Sequence, residues 1–248
     1  MKLKSYIKVF FYIVRRCNIS KTLYINFLKL PFNQAIRLPI YIYGKTEFRS
    51  LNGDIVIQGD VRSGMIKVGK NDYYVKTSVP LTVWVINGVL KFNGSCKFMN
   101  GGYLCISKRG HLELGNDVLI GSDYKIMCFD SIRIGDLVQA TYNIQIYDTS
   151  YHYVEDEYGV VKKLTKPIFI GDRVWIGNSS IVSRGSKIPD NTIVANGSLV
   201  NKDFSFVDGK CLIAGCPACV KKEGIHRIFD LEKERYYDAK FGYDRTHL

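Results

Sequence analysis

Four histidines and seven cysteines are the residues from which this 248-residue sequence could build reactive chemistry. The cysteines (17, 96, 105, 128, 211, 216 and 219) are odd in number and lack a metal-ligand rhythm. That pattern favours free thiols in a reducing compartment, the cytoplasm, over a disulfide framework. Cys216 and Cys219 form a C-x-x-C, a spacing that can carry thiol–disulfide exchange, but no strand-then-helix unit surrounds it and a redox role is not expected. A three-imidazole zinc site needs three converging histidines. Of His111, His152, His226 and His247, only the first two lie in the glycine-punctuated part of the chain, so no metal is expected. His152 is set apart by its surroundings. It sits in "YDTSYHYVEDEYGVVKKLTKP", residues 147–167, a polar stretch between two regularly patterned ones, and long loops in compact domains are commonly functional.

The pattern on either side of that loop has a period of six. In "IGDRVWIGNSSIVSRGSKIPD" the aliphatic residues Ile170, Ile176, Val182 and Ile188 recur at every sixth position. The same spacing joins Leu114, Ile120 and Ile126; then Ile134, Ala140 and Ile146; then Ile188, Val194 and Val200; Phe92, Phe98 and Leu104 form a looser set. A helix would repeat every three or four residues and a half-buried strand every two. A period of six fits a three-sided prism in which each unit is a short strand plus a corner, with one side chain per unit pointing into the axis and small residues letting the backbone turn. Two packed sheets of ordinary strands explain the glycine–aliphatic register poorly. The expected fold is mainly β, a parallel β-helix, and the polar stretch at 147–167 must loop outward because it cannot fill a narrow apolar axis.

The flanks differ in character. Leu23, Phe27 and Leu30 form a helical stripe that ends at Pro31, and Ile7, Phe10, Phe11 and Val14 fall on one face of a preceding amphipathic helix. The net charge is +12, and residues 1–50 carry ten Lys or Arg (2, 4, 8, 15, 16, 21, 29, 37, 45, 49) against Glu47 alone. Such asymmetry points to an acidic partner, anionic lipid or a polyanionic saccharide, and no nucleic acid is expected. The opening imitates a secretory signal but has Lys8 inside its apolar run, Arg15 and Arg16 after it, and no small-residue cleavage site. Two roles stand open for residues 1–18: packing within the protein's own assembly, or lying on the inner face of a membrane. The chain divides into an N-terminal helical segment (1–40), a β-helix domain (41–222) and a C-terminal helix and tail (223–248).

"IGDRVWIGNSSIVSRGSKIPDNTIVANGSLVNKDF" followed by "IAGCPACVKK" resembles the hexapeptide-repeat acyltransferases, in particular their galactoside, maltose and capsular-polysaccharide O-acetyltransferase branch. The resemblance is good over residues 110–222 and weaker from residue 50. It implies a left-handed β-helix, an exception to the right-handed crossover rule, and a homotrimer with active sites between subunits. It also implies acetyl-CoA as acyl donor and a saccharide acceptor. In that branch a histidine precedes an outward loop that returns through a proline, so His152 is implied as general base and Pro167 as the proline. A sugar hydroxyl is a weak nucleophile, and imidazole has an ordinary pKa near 6.5, suited to accepting its proton. Asp148, four residues before His152, is a candidate for orienting the imidazole, for binding the acceptor or for merely closing a turn, and Asp130 and Tyr151 are further acceptor-site candidates. Trp175, Asn178, Asn196, Asn201, Lys202 and Lys222 occupy positions at which relatives contact the coenzyme. The expected activity is O-acetylation of a sugar hydroxyl in cell-surface polysaccharide or lipopolysaccharide biosynthesis. Its rival is a noncatalytic β-helix that binds saccharide or organises an envelope complex.

Overall fold

The structure is a computed structural model that describes residues 17–71 and 80–243. Among the described residues, strands form sheets of nine, seven and six members, and successive strands join the three sheets in rotation. The result is a left-handed parallel β-helix with three flat faces. On the first face Phe98, Ile120, Ala140, Ile176 and Val194 lie in register. Leu104, Ile126, Ile146, Val182 and Val200 do so on the second face. Phe92, Leu114, Ile134, Ile170 and Ile188 complete the third. Each of these side chains is buried, so the period of six marks the axial columns.

The helix begins earlier than its aliphatic repeat. Face one starts at Ile40–Ile42 and face two at Lys45–Leu51. In these first coils the axis is filled by aromatics: Trp84 and Tyr124 each lie 5.3 Å from Phe98, and Trp84 Nε1 donates to the Tyr124 hydroxyl at 3.0 Å. Burial raises the pKa of that hydroxyl. Rings fill the axis here in place of the aliphatic side chains of the later coils.

The "IGD" corners have a packing explanation. Asp172 accepts from the Asp136 amide and Asp190 from the Asp172 amide, each at 2.8 Å, forming a ladder of side-chain acceptors up the corner between the third and first faces. A Cβ on Gly135 would stand 2.3 Å from the Asp172 carboxylate oxygen, which reserves that position for glycine.

The expected stripe of Leu23, Phe27 and Leu30 is corrected on the N-terminal helix α1 (Ile19–Lys29). Leu23 and Phe27 are 42% and 50% exposed, and the buried face is instead Thr22, Ile25 and Asn26, with Leu30 buried just beyond the helix. Asn26 bonds both the amide and the carbonyl of Ile40, while Thr22 accepts from the Ile42 amide. The polar face satisfies backbone groups at the open end of the β-helix, where an unpaired edge would otherwise be exposed to other strands. A short helix, α2 (Phe32–Ala35), then leads into the first coil. The preceding amphipathic helix, with Ile7, Phe10, Phe11 and Val14, lies outside the described residues.

After Val200 the chain closes with a hairpin, Cys211–Gly215 against Ala218–Glu223, on face one. A polar helix α3 (Leu231–Phe241) follows, capped by Asp230 at its start and left-handed Gly242 at its end. No described helix is long and apolar enough to cross a membrane.

Candidate functional site

The corner between the second and third faces is where the outward insert leaves. The second face ends at Gln145–Tyr147 and the third resumes at Ile168–Ile170. The two limbs of the insert pair at their root: the Ser150 amide donates to Leu164 at 2.9 Å and the Lys166 amide to Asp148 at 3.0 Å. Pro167 closes the returning limb and lines the cavity described below. One coil earlier the same corner is two residues wider, since Ile126 and Ile134 are eight apart rather than six.

Asp148 fills that wider corner. It is fully buried, and its two oxygens accept from the amides of Phe129 and Asp130, each at 2.8 Å. Burial raises its pKa, while the amide hydrogen bonds pull the other way. Of the roles open to Asp148, its geometry is that of closing a turn: both oxygens are engaged by backbone amides, and the side chain ties the corner to the root of the insert.

Tyr151 adopts φ 60°, a left-handed conformation unusual for a bulky residue. That turn lays its ring edge-on against Phe129 at 5.1 Å and directs its hydroxyl to Met127 Sδ at 2.6 Å. Burial is the main reason its hydroxyl pKa is raised. His152 follows, exposed, with its amide bonded to the Ser150 carbonyl at 2.7 Å. No hydrogen bond to its imidazole occurs among the described residues, so the ring is open to a ligand.

Phe129 and Asp130 line a cavity of about 470 Å³ with Arg109, Lys163, Thr165 and Lys166. Asp130 accepts from the Thr165 hydroxyl at 3.2 Å. Arg109, Lys163, Thr165 and Lys166 escaped the sequence reading, although the "KK" and "TKP" of the insert were a visible signal.

The six coenzyme candidates are spread over the upper coils. Trp175 lies on face one beside Ile193, with the Arg227 guanidinium 5.8 Å over its ring, and both line a cavity of about 450 Å³ under α3. Asn178 and Asn196 stand at the corner between faces one and two, where the Asn178 carbonyl accepts from the Gly197 amide. Asn196 is packed so closely over Gly177 that a Cβ there would lie 2.2 Å from its side-chain oxygen. Asn201 and Lys202 are exposed at the corner between faces two and three, the same edge as the insert. Lys222 is exposed on the terminal hairpin opposite Leu212. The chain thus gathers His152, Asn201 and Lys202 on one edge and places Trp175, Asn178 and Asn196 elsewhere. Cys216 and Cys219 are free thiols at the turn of the terminal hairpin. Among the described residues no group of three or more His, Cys, Asp or Glu could hold a metal ion.

No family model matches the chain. Over 127 residues, 51% of the chain, it is 27% identical to the galactoside O-acetyltransferase of Escherichia coli (strain K12), and it spans 59% of that enzyme's length. Among solved structures it is similar to the polySia specific acetyltransferase NeuO, at 17% identity and a TM-score of 0.56, covering 82% of this chain and 99% of that one. It is also similar to a hexapeptide-repeat containing acetyltransferase from Vibrio cholerae O1 biovar eltor complexed with acetyl coenzyme A. That match has 25% identity and a TM-score of 0.41, covering 53% and 70% of the two chains. Repeat and register give the chain the left-handed parallel β-helix fold, and in that fold and over half of its sequence it is similar to hexapeptide-repeat acetyltransferases.

Proposed function

We propose that the protein is an acetyl-CoA-dependent O-acetyltransferase acting on a sugar hydroxyl, in cell-surface polysaccharide or lipopolysaccharide assembly. The observation that carries this reading is the open imidazole of His152, on an insert whose root is fixed by Asp148 and whose returning limb lines a cavity with Phe129 and Asp130. His152 takes the proton of the acceptor hydroxyl as its oxygen attacks the thioester carbonyl. The carbon–sulfur bond then breaks, and the proton passes to the departing CoA thiolate. Such transfer to a positioned base is worth about 10²–10⁴-fold in rate. Asp130 is placed to accept from a sugar hydroxyl, and Tyr151 acts by holding the loop against Phe129.

The split of the coenzyme candidates over separate edges supports a homotrimer. The simplest arrangement that brings Trp175, Asn178 and Asn196 to the same ligand as Asn201 and Lys202 packs an edge of one subunit against a neighbour. Lys202 is exposed and suited to a phosphate of the coenzyme; Lys222, on the terminal hairpin, is a second candidate.

The test pairs binding with turnover. Calorimetric titration with acetyl-CoA is expected to saturate near one per subunit. His152→Ala is expected to lower acetyl transfer by at least two orders of magnitude while leaving assembly and CoA affinity intact. An unchanged rate removes His152 from the mechanism. No binding at millimolar acetyl-CoA makes a noncatalytic saccharide-binding β-helix the better reading.

A further inference from the structure

The cavity beside the insert has a charge character that a neutral sugar does not need. Arg109, Lys163 and Lys166 line it together with one carboxylate, Asp130. The ion pairs found among the described residues are Arg49–Glu47, Lys91–Glu113, Lys187–Asp203 and Arg227–Glu234. None of the three cations is therefore within 4 Å of a carboxylate there. Asp130, which accepts from the Thr165 hydroxyl, offsets one of the three charges, so the lining keeps an excess of positive charge.

The backbones carrying these cations are held in place. Arg109 sits in a tight turn closed by the Gly110 amide on the Ser107 carbonyl at 2.9 Å. The Lys163 carbonyl accepts from the Arg184 guanidinium at 2.9 Å, and Lys166 is bonded on both sides of its peptide, to Asp148 and to Gly185. Arg109 and the two lysines come from different coils and converge only because the returning limb of the insert lies back across the corner. A concave site with uncompensated cations concentrates anions, and a guanidinium fork matches the two oxygens of a carboxylate or phosphate.

We infer that the acceptor is an anionic saccharide, and that Arg109, Lys163 and Lys166 hold its carboxylate or phosphate while His152 faces a hydroxyl on the same residue of the glycan. The inference rests on the O-acetyltransferase reading above and narrows its substrate class. Charge recognition also fixes which hydroxyl is presented, so the three cations determine specificity without taking part in bond making.

The experiment uses the purified full chain, acetyl-CoA and a panel of oligosaccharides in matched pairs. Uronic-acid and sialic-acid oligomers are set against their carboxyl-reduced forms, and phosphorylated glycans against their dephosphorylated forms. CoA thiol release gives turnover, and calorimetry gives binding of each glycan independently of transfer. The expected result is a preference of at least tenfold in kcat/KM for one charged class, which tells carboxylate from phosphate. Arg109→Gln and the double variant Lys163→Gln/Lys166→Gln should each erase about tenfold of that preference, through the acceptor KM, with KM for acetyl-CoA unchanged. Neutral partners turning over as well as the charged ones overturn the inference and leave the acetyltransferase reading standing. If no glycan supports thiol release, charge-dependent glycan binding that the variants abolish still supports the anion site, and binding that ignores charge, or none, refutes it. Failure to bind acetyl-CoA refutes the underlying reading separately.

Discussion

Replacing Asp148 separates its role in architecture from a role in chemistry. In the structure its carboxylate accepts two backbone amides at 2.8 Å in a site closed to water. Asp148→Ala leaves the amides of Phe129 and Asp130 without acceptors, at about 1–3 kcal/mol each. Removing a carboxylate that was costly to bury offsets part of that loss, as its raised pKa indicates. A net destabilisation of about 2–4 kcal/mol follows from those two opposing effects. For a chain of this size each kcal/mol lowers Tm by about 2–4 °C, so a drop of roughly 4–16 °C is expected by calorimetry. Asp148→Asn keeps one acceptor oxygen and should lose about half as much. Assayed well below both transitions, either variant should raise the acceptor KM more than it lowers kcat, because the corner and the insert loosen together. A Tm within a degree of the parent would refute the reasoning. A kcat loss matching that of His152→Ala, with stability unchanged, would return Asp148 to direct contact with the imidazole or the acceptor.

Two further perturbations probe the frame. Asn26→Leu removes the side chain that bonds both the amide and the carbonyl of Ile40; it should cost about 2–4 kcal/mol in chemical denaturation, and a neutral result would refute the end-capping role of α1. Asp203 is held near a pKa of about 2, first by the hydrogen bond with Lys187 and next by those with Ser205. A depressed carboxylate contributes stability that is present above its unfolded pKa and lost as pH falls toward the folded value. The Tm difference between the parent and Asp203→Asn should therefore be constant from pH 7 to about 5 and shrink between about pH 4 and 2. A difference independent of pH over that range would exclude the ion pair as its source.

The sequence by itself determined the prism. A spacing of six is satisfied when one position of each unit faces a common interior; every member of the columns from Phe92 to Val200 proved to be buried, and so did the position two residues before each of Ile120 to Val200. It also located the insert, because a polar run of that length has no place in an apolar axis. The first coils were harder to read, since Trp84, Phe98 and Tyr124 fill the axis with rings in place of the aliphatic side chains that mark the later repeat. The polar docking face of α1 was invisible for a different reason. Thr22 and Asn26 are buried to satisfy backbone groups of a strand 20 and 14 residues away, a demand that no amphipathic stripe records. The destination of Asp148 and the meeting of Arg109 with Lys163 and Lys166 belong to the tertiary structure alone. A side chain's hydrogen-bond partners and the sign of the charge it meets depend on which coils stack at one corner, and stacking sets distances that sequence separation does not encode.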